Sequence, residues 1–389
     1  MAWATRKLGE LTSKIGSGAT PRGGSTVYRP SGTTFIRSQN VHDHKMRLED
    51  VAYIDDDSAA ALSSVAVSPG DVLINITGDS IARTSLVDLK ALPARVSQHV
   101  AILRPTDELD SRYLQKFLTN PSFKDHLIAI SSGGTRKALT KATLESLNIA
   151  LPPLAVQRAI AEVLGALDDK IAANHQLTAR SRSLISALYR SALAQAPIRH
   201  GRFLEYFQVT YGSAFKGENF SDIGIGRPLM RIRDLRTHTP QTWTTETRSD
   251  ETIITPGEIV AGMDAEFTPT IWLGENAILN QRMCRLRTDH SNALTLEAAR
   301  EPLSYIESHK TGTTVIHMNK RDLQSTAATL PGKDAAHEFD QKCSPLLELI
   351  VSRHIENRAL AATRDALLPA LMSGKLRVKD AERQVEAVV

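Results

Sequence analysis

Between Leu151 and about Ala196 the chain carries a stripe that points to one long helix. Ile160, Leu164, Leu167, Ile171, then Asn174, Thr178 and Ser181, then Ile185 and Leu188 are spaced alternately by four and three residues. That is the seam of a helix buried against another helix. Pro152 and Pro153 fit its first turn, where a missing backbone N–H costs nothing. At about 1.5 Å per residue, roughly forty helical residues reach on the order of 60 Å. A rod of that length exceeds the width of most domains, so the fold depends on what flanks it.

What flanks it is a duplication. Phe35-Ile-Arg37-Ser-Gln-Asn40-Val41 is echoed by Leu229-Met-Arg231-Ile-Arg-Asp234-Leu235, and Pro69-Gly70-Asp71-Val72 by Pro256-Gly257-Glu258-Ile259. Ser97-Gln98-His99-Val100 matches Asn280-Gln281-Arg282-Met283, and Gly133-Gly134-Thr135 matches Gly312-Thr313-Thr314. A second stripe follows the second copy at Phe339, Cys343, Leu346, Ile350, Leu360, Leu367 and Leu371. Pro345 interrupts it, so the second rod either begins there or kinks there. Met372-Ser-Gly374-Lys375 reads as a helix stop. The polar middle of the stripes (Asn174, Thr178 and Ser181; Arg353 and Asn357) fixes register, receives another chain, or faces water.

Short apolar runs bounded by Gly, Pro and Asp, such as Asp71–Ile74 and Ala101–Leu103, read as strands, and Ser111–Leu118 reads as a helix. The expected fold is α+β: two mixed α/β units separated by two long paired, coiled-coil-like helices, with a pseudo-two-fold internal repeat. The expected boundaries are 1–150, a first unit; 151–197, a first rod; 198–332, a second unit; 333–378, a second rod; and 379–389, a C-terminal tail.

The totals exclude several classes. A chain of 389 residues with 41% hydrophobic and 23% charged residues is globular rather than disordered. No run of about eighteen apolar residues suits a membrane span, and the N-terminal residues lack the apolar core of a signal peptide. Cys284 and Cys343 are too few and too far apart for a disulfide framework or zinc site. A cytoplasmic protein is expected. The net charge of +4 says little about nucleic acid by itself.

Leu-Pro-Pro-Leu154-Ala-Val-Gln157-Arg-Ala-Ile160, after Gly133-Gly-Thr135-Arg136-Lys137-Ala-Leu139, resembles the specificity subunit of type I restriction–modification systems. So do Ser-Pro69-Gly70-Asp71-Val-Leu-Ile74, Thr77-Gly78, Gln98-His99-Val100 and the closing Arg364-Asp-Ala-Leu367-Leu-Pro-Ala-Leu371-Met-Ser-Gly374-Lys. The second copy departs at Ala335-Ala-His-Glu, where the family often keeps Glu-Gln, and at Pro345. The resemblance implies a non-catalytic subunit whose two units are target-recognition domains for a bipartite site in double-stranded DNA. It implies recruitment of two adenine-methyltransferase subunits and of motor–nuclease subunits. No cofactor is then bound by this chain; S-adenosylmethionine, and ATP and Mg²⁺ for restriction, belong to the other subunits. The rods become a spacer, with Ile160, Leu164, Leu167, Ile171, Ile185 and Leu188 facing Phe339, Leu346, Ile350, Leu360, Leu367 and Leu371. The competing function is a partner-binding scaffold or antirestriction-like protein that no longer reads DNA.

Base edges are read by side chains, Arg and Lys suiting guanine, Asn and Gln suiting adenine, while phosphate contacts set register. The first unit offers Lys14, Arg22, Arg29, Arg37, Gln39, Asn40, Lys45 and Arg47, with Asp43 against them. The second offers Lys216, Arg227, Arg231, Arg233, Arg236 and His238 in a similar place. A further set precedes each rod: Arg136, Lys137 and Lys141, and Lys310 and Lys320 beside Thr313 and Thr314. Phosphate contacts are expected from these glycine-containing turns. Unlike loops imply an asymmetric target.

Enzymatic readings are weaker. Asn120-Pro121-Ser122-Phe123 approaches the Asn-Pro-Pro-aromatic motif of adenine methyltransferases but follows a helical run, so an inter-helix turn accounts for it better. Asp71 with Asp88 and Lys90 could form a nuclease metal site, yet the second copy has no equivalent of Asp88 and Lys90. No P-loop is present. His42, His44 and His99 lack metal-ligand spacing and read as loop or surface histidines. No catalytic residue and no metal ligand is expected.

Overall fold

The structure, a computed structural model, describes residues 3–131, 138–264, 267–310 and 316–386, with the backbone alone at 24 and 25. The chain folds into two compact units: Met1–Ile171 with Arg358–Val389, and Ala172–Asn357. Both long helices are shared between them. The first runs over Leu154–Gln195 and the second over Lys333–Met372. The prolines sit just ahead of the first helix, where the Pro153 carbonyl accepts from Val156 and Gln157. The second helix does not start at Pro345; it begins at Lys333 and runs through that proline. It ends at Met372, where Gly374 takes a left-handed φ of 70° and Leu376 N–H closes back on the Ala370 carbonyl.

The duplication is explicit in the sheets. In the first unit four antiparallel strands lie in the order Thr12–Ser17, Val100–Pro105, Val72–Asn75, Thr84–Leu86. In the second the order is Gln208–Tyr211, Met283–Arg287, Ile259–Gly262, Thr270–Ile271. Each unit adds a parallel pair, Thr33–Ile36 with Ala94–Val96 and Arg227–Met230 with Ala277–Leu279. One further antiparallel pair joins Thr5–Lys7 to Asn148–Ala150, and Ile198–Arg202 to Ala327–Pro331. Gly18 and Gly212 recur at one crossing: a Cβ would lie 2.0 Å from the Val96 carbonyl oxygen in one unit and 2.1 Å from that of Asn280 in the other. Only glycine permits that backbone approach.

Each unit closes its core with both long helices. In the first, Ile160, Leu164 and Leu167 are buried with Leu360, Leu367 and Leu371. In the second, Ile185 and Tyr189 are buried with Phe339, Cys343, Leu347 and Ile350. Ile171, Leu188 and Leu346 only border these cores, and Leu347 fills the place expected for Leu346. Part of the polar middle of the stripe is withdrawn from water. Asn174 is buried, and its Nδ2 donates at 2.8 Å to both Glu356 Oε2 and Asn357 Oδ1 of the second helix. A buried amide paired this way admits one register, since a slip would strand it without partners. Ser181 is buried as well.

The second copy's departure at Ala335-Ala-His-Glu is compensated. In the first unit the buried Gln157 accepts from Asp110 N–H at 2.9 Å and donates to the Glu108 and Pro152 carbonyls, tying the long helix to the start of helix Ser111–Thr119. In the second, Asp340, one turn further along, accepts from Ser291 N–H at 3.0 Å and meets His290 Nδ1 at 2.9 Å. Ser291 caps helix Asn292–His309, the counterpart of Ser111–Thr119. Residues 378–386, which overlap the expected tail 379–389, form a helix that buries Ala381 and Val385 in the first unit's core.

Candidate nucleic-acid interface

Two equivalent turns carry exposed cations. In the first unit a 3-10 turn, Ser38–Asn40, leads into the hairpin Val41–His42 and Lys45–Met46. Asn40 holds it: Oδ1 accepts from Arg37 N–H at 2.9 Å and Nδ2 donates to the Arg47 carbonyl at 3.0 Å. At 1% exposure Asn40 is therefore a staple and not a base reader, against the sequence expectation. In the second unit the buried Asp234 does the same work, accepting from Arg231 N–H at 2.9 Å and Gln241 N–H at 3.2 Å. Burial pushes its carboxyl above the usual range, with the two N–H donors and Arg233 working the other way.

The staples turn other side chains outward. Gln39, Lys45 and Arg47 are exposed in the first unit, and Arg231, Arg233 and Arg236 in the second. Arg83, which no motif pointed to, is a half-buried cation beside the first group. It sits in the turn between strands Val72–Asn75 and Thr84–Leu86, and with Arg47 and Lys45 it adds to the effect of burial in holding His42 below the ordinary imidazole value. The opposing Asp43 is neutralised by an ion pair with Lys124 and accepts from Thr84 N–H.

Several expected contacts are engaged within the protein instead. Lys14 donates to the Ser64 carbonyl at 2.8 Å. Arg29 pairs with Asp55 at 2.9 Å. Arg37 lies 5.5 Å from the Tyr28 ring centroid and donates to the Asp50 carbonyl. Arg227 is held by both oxygens of Glu251. Lys310 is drawn to Asp322 at 2.6 Å, and Lys216 lies 3.8 Å from Glu218. His238 points inward, ring edge against Trp272. Arg22 and Lys320 remain exposed, as does Lys141, 3.6 Å from Glu145. Arg136, Lys137, Thr313 and Thr314 lie outside the described residues.

A second equivalent corner is marked by two isolated bridges. Isolated bridges pair Thr77 with Ala138 in one unit and Asp264 with His317 in the other. The exposed His99 reaches Thr77 Oγ1 at 2.7 Å. Its sequence counterpart Arg282 lies 3.4 Å from Asp264, which also meets His317 Nδ1 at 2.6 Å. The Gln98-His99 and Gln281-Arg282 echo pointed to this corner; His317 had no such signal.

Against known proteins, the family described as type I restriction modification DNA specificity domain matches residues 2–180. The EcoBI specificity subunit of Escherichia coli is 31% identical over 179 residues, 44% of this chain and 38% of that one. The EcoKI specificity subunit of Escherichia coli strain K12 is 24% identical over 222 residues, 52% of this chain and 47% of that one. The alignments thus span less than half of either relative. A putative specificity subunit, MjaX of Methanocaldococcus jannaschii, aligns at 19% identity over 97% of this chain and 94% of its own. The crystal structure of a type I restriction–modification S subunit from M. genitalium shares the fold over 95% of this chain and 96% of that one, with a TM-score of 0.61 at 13% identity.

The carboxylates of the Pro-Gly-acid turns serve structure. Asp71 is fully buried, bound by Arg104 at 2.7 and 2.8 Å and by Ser68 N–H at 2.7 Å. Glu258 repeats this with Arg287 at 2.5 Å and Thr255 N–H at 2.8 Å. Asp88 caps a short turn through Lys90 N–H. Asn120 stands between helices Ser111–Thr119 and Pro121–Ser131, an inter-helix turn. Among the described residues no group of His, Cys, Asp and Glu is arranged to hold a metal, and no helix is long and apolar enough to cross a membrane.

Proposed function

We propose that the chain is a DNA-specificity subunit that reads an asymmetric bipartite target, one half through each unit, and confers that choice on partner subunits without catalysing a reaction itself. The observation that carries this reading is the pair of equivalent stapled turns. They present unlike exposed side chains, Gln39, Lys45 and Arg47 in one unit and Arg231, Arg233 and Arg236 in the other. One backbone frame with different side chains suits two readers of two different base sequences. The family of residues 2–180 supports it. The partners are then two methyltransferase subunits, using S-adenosylmethionine, and motor–nuclease subunits using ATP and Mg²⁺.

The scaffold alternative keeps partner docking but has no use for two differently charged turns. Competition binding of the purified complex to genomic and random duplexes separates the two. Preference for a defined subset of genomic fragments, weakening steeply with salt as neutralised phosphates release counterions, is expected. Equal binding to every fragment would overturn DNA reading.

A further inference from the structure

Four residues after each staple stands a histidine, His44 after Asn40 and His238 after Asp234. Both adopt left-handed backbone, with φ of 67° and 56°. Glycine or asparagine holds that conformation more cheaply, so the imidazole is retained for what it touches. In both units it turns inward while its neighbours turn out.

The contacts differ in chemistry but share their destination. His44 Nδ1 lies 3.3 Å from Nε2 of the buried Gln115 and 3.6 Å from Asp168 Oδ2 on the first long helix. Its backbone N–H donates to the Thr84 carbonyl at 3.2 Å. His238 sets its ring 5.7 Å from Trp272 and 5.5 Å from His354 on the second long helix, both edge-on. Its N–H donates to the Asp234 carbonyl at 2.7 Å, and the chain at Gly274 passes so close that a Cβ there would lie 2.3 Å from the His238 carbonyl oxygen. Burial pushes both imidazoles down to about 4. They are neutral at pH 7, and His44 Nδ1 can accept from the Gln115 amide.

We infer that His44 and His238 are equivalent positioning residues, each fixing its unit's reading turn against a long helix so that the outward side chains meet base edges in register. This rests on the DNA-reading function proposed above. Lys45 adjoins His44, Arg47 follows three residues on, and Arg236 precedes His238 by two. Hydrogen bonds to base edges demand donor–acceptor distances near 3 Å, so a turn released from its helix loses discrimination before it loses charge.

The test is selection from a pool of randomised duplexes by the full-length chain in its complex, with each half-site's preference scored separately. Glycine keeps the left-handed backbone and deletes only the ring, so the variants are His44→Gly and His238→Gly. Each is expected to lose about tenfold in discrimination at one half-site, a different half for each variant, with the other half within about twofold. His44→Asn tolerates the same φ and offers Gln115 an acceptor, and restores most of the loss. Equal weakening of both half-sites, or a lowered melting midpoint with both profiles intact, would make the rings merely structural and overturn the inference. A wild-type chain that selects no bipartite sequence would instead overturn the function on which it rests.

Discussion

Asp168→Ala is expected to destabilise the first unit by about 3–5 kcal/mol, the usual cost of stranding buried charges. Asp168 lies on the first long helix and binds two cations from different elements. Lys116 of helix Ser111–Thr119 forms an ion pair with one oxygen, and Arg364 of the second long helix donates to the other at 2.8 Å. The Lys116 side chain is 6% exposed and that of Arg364 15%. Without the carboxylate both are left in a dry site, with Asp365 still reaching only Arg364. The double variant Lys116→Met with Asp168→Leu removes charge from both sides and is expected to regain a large part of the loss. Thermal unfolding followed by circular dichroism reads both variants; a single variant within about 1 kcal/mol of wild type would show that water reaches the cluster.

The same cluster sets the acid response. Burial opposes ionisation of Asp168, but Lys116, His44 and Arg364 outweigh it and hold its carboxyl below the usual range. Its stabilising contribution is therefore complete above the unfolded value and fades as pH falls towards the lowered folded value. The histidines act earlier. The unfolded chain protonates His44 and His238 near 6.5, whereas the folded chain resists until about 4. Unfolded molecules thus bind more protons throughout that window, and stability falls as pH drops from about 6.5 to 4.

The second large effect concerns DNA. Replacing Lys45, Arg47 and Arg83 together by alanine is expected to lower affinity on the order of a hundredfold or more, and to reduce the salt dependence by roughly one ion for each phosphate left without its cation. All three charges act on His42, so their potentials add in its neighbourhood. Arg29→Ala is the control, because Asp55 already neutralises that guanidinium. Binding measured against salt concentration distinguishes the outcomes. A triple variant with the wild-type slope would remove this hairpin from the interface.

The long helices, the duplication and the Pro-Gly-acid turns were legible because each leaves a mark in residue spacing: an alternation of four and three, or punctuation recurring in order. Side-chain destinations were not. Arg227 and Arg231 look alike in sequence, yet Glu251 encloses the first and the second is exposed. Asn40 has the chemistry of an adenine reader but spends it on its own turn. His238 reads as a DNA contact and His44 as a loop or surface histidine; His44 does lie in a turn, but both rings are turned inward. Their shared role became visible only when the left-handed backbone placed both rings against a helix. Pro345 does not mark the start of the second helix, since the apolar contacts of Cys343, Leu347 and Ile350 hold the helix on both sides of it. The helix at 378–386 was missed because its apolar face is so short.

The central claim, that two unlike readers in this chain choose the DNA target, is tested most directly by sequencing the methylome of cells carrying the complete system with and without this gene. The account predicts one bipartite adenine motif that disappears on deletion. When residues up to about Leu151 are exchanged for those of another specificity subunit, one half of that motif should change and the other persist. A methylome unchanged by deletion, or an exchange that alters both halves together, would contradict it.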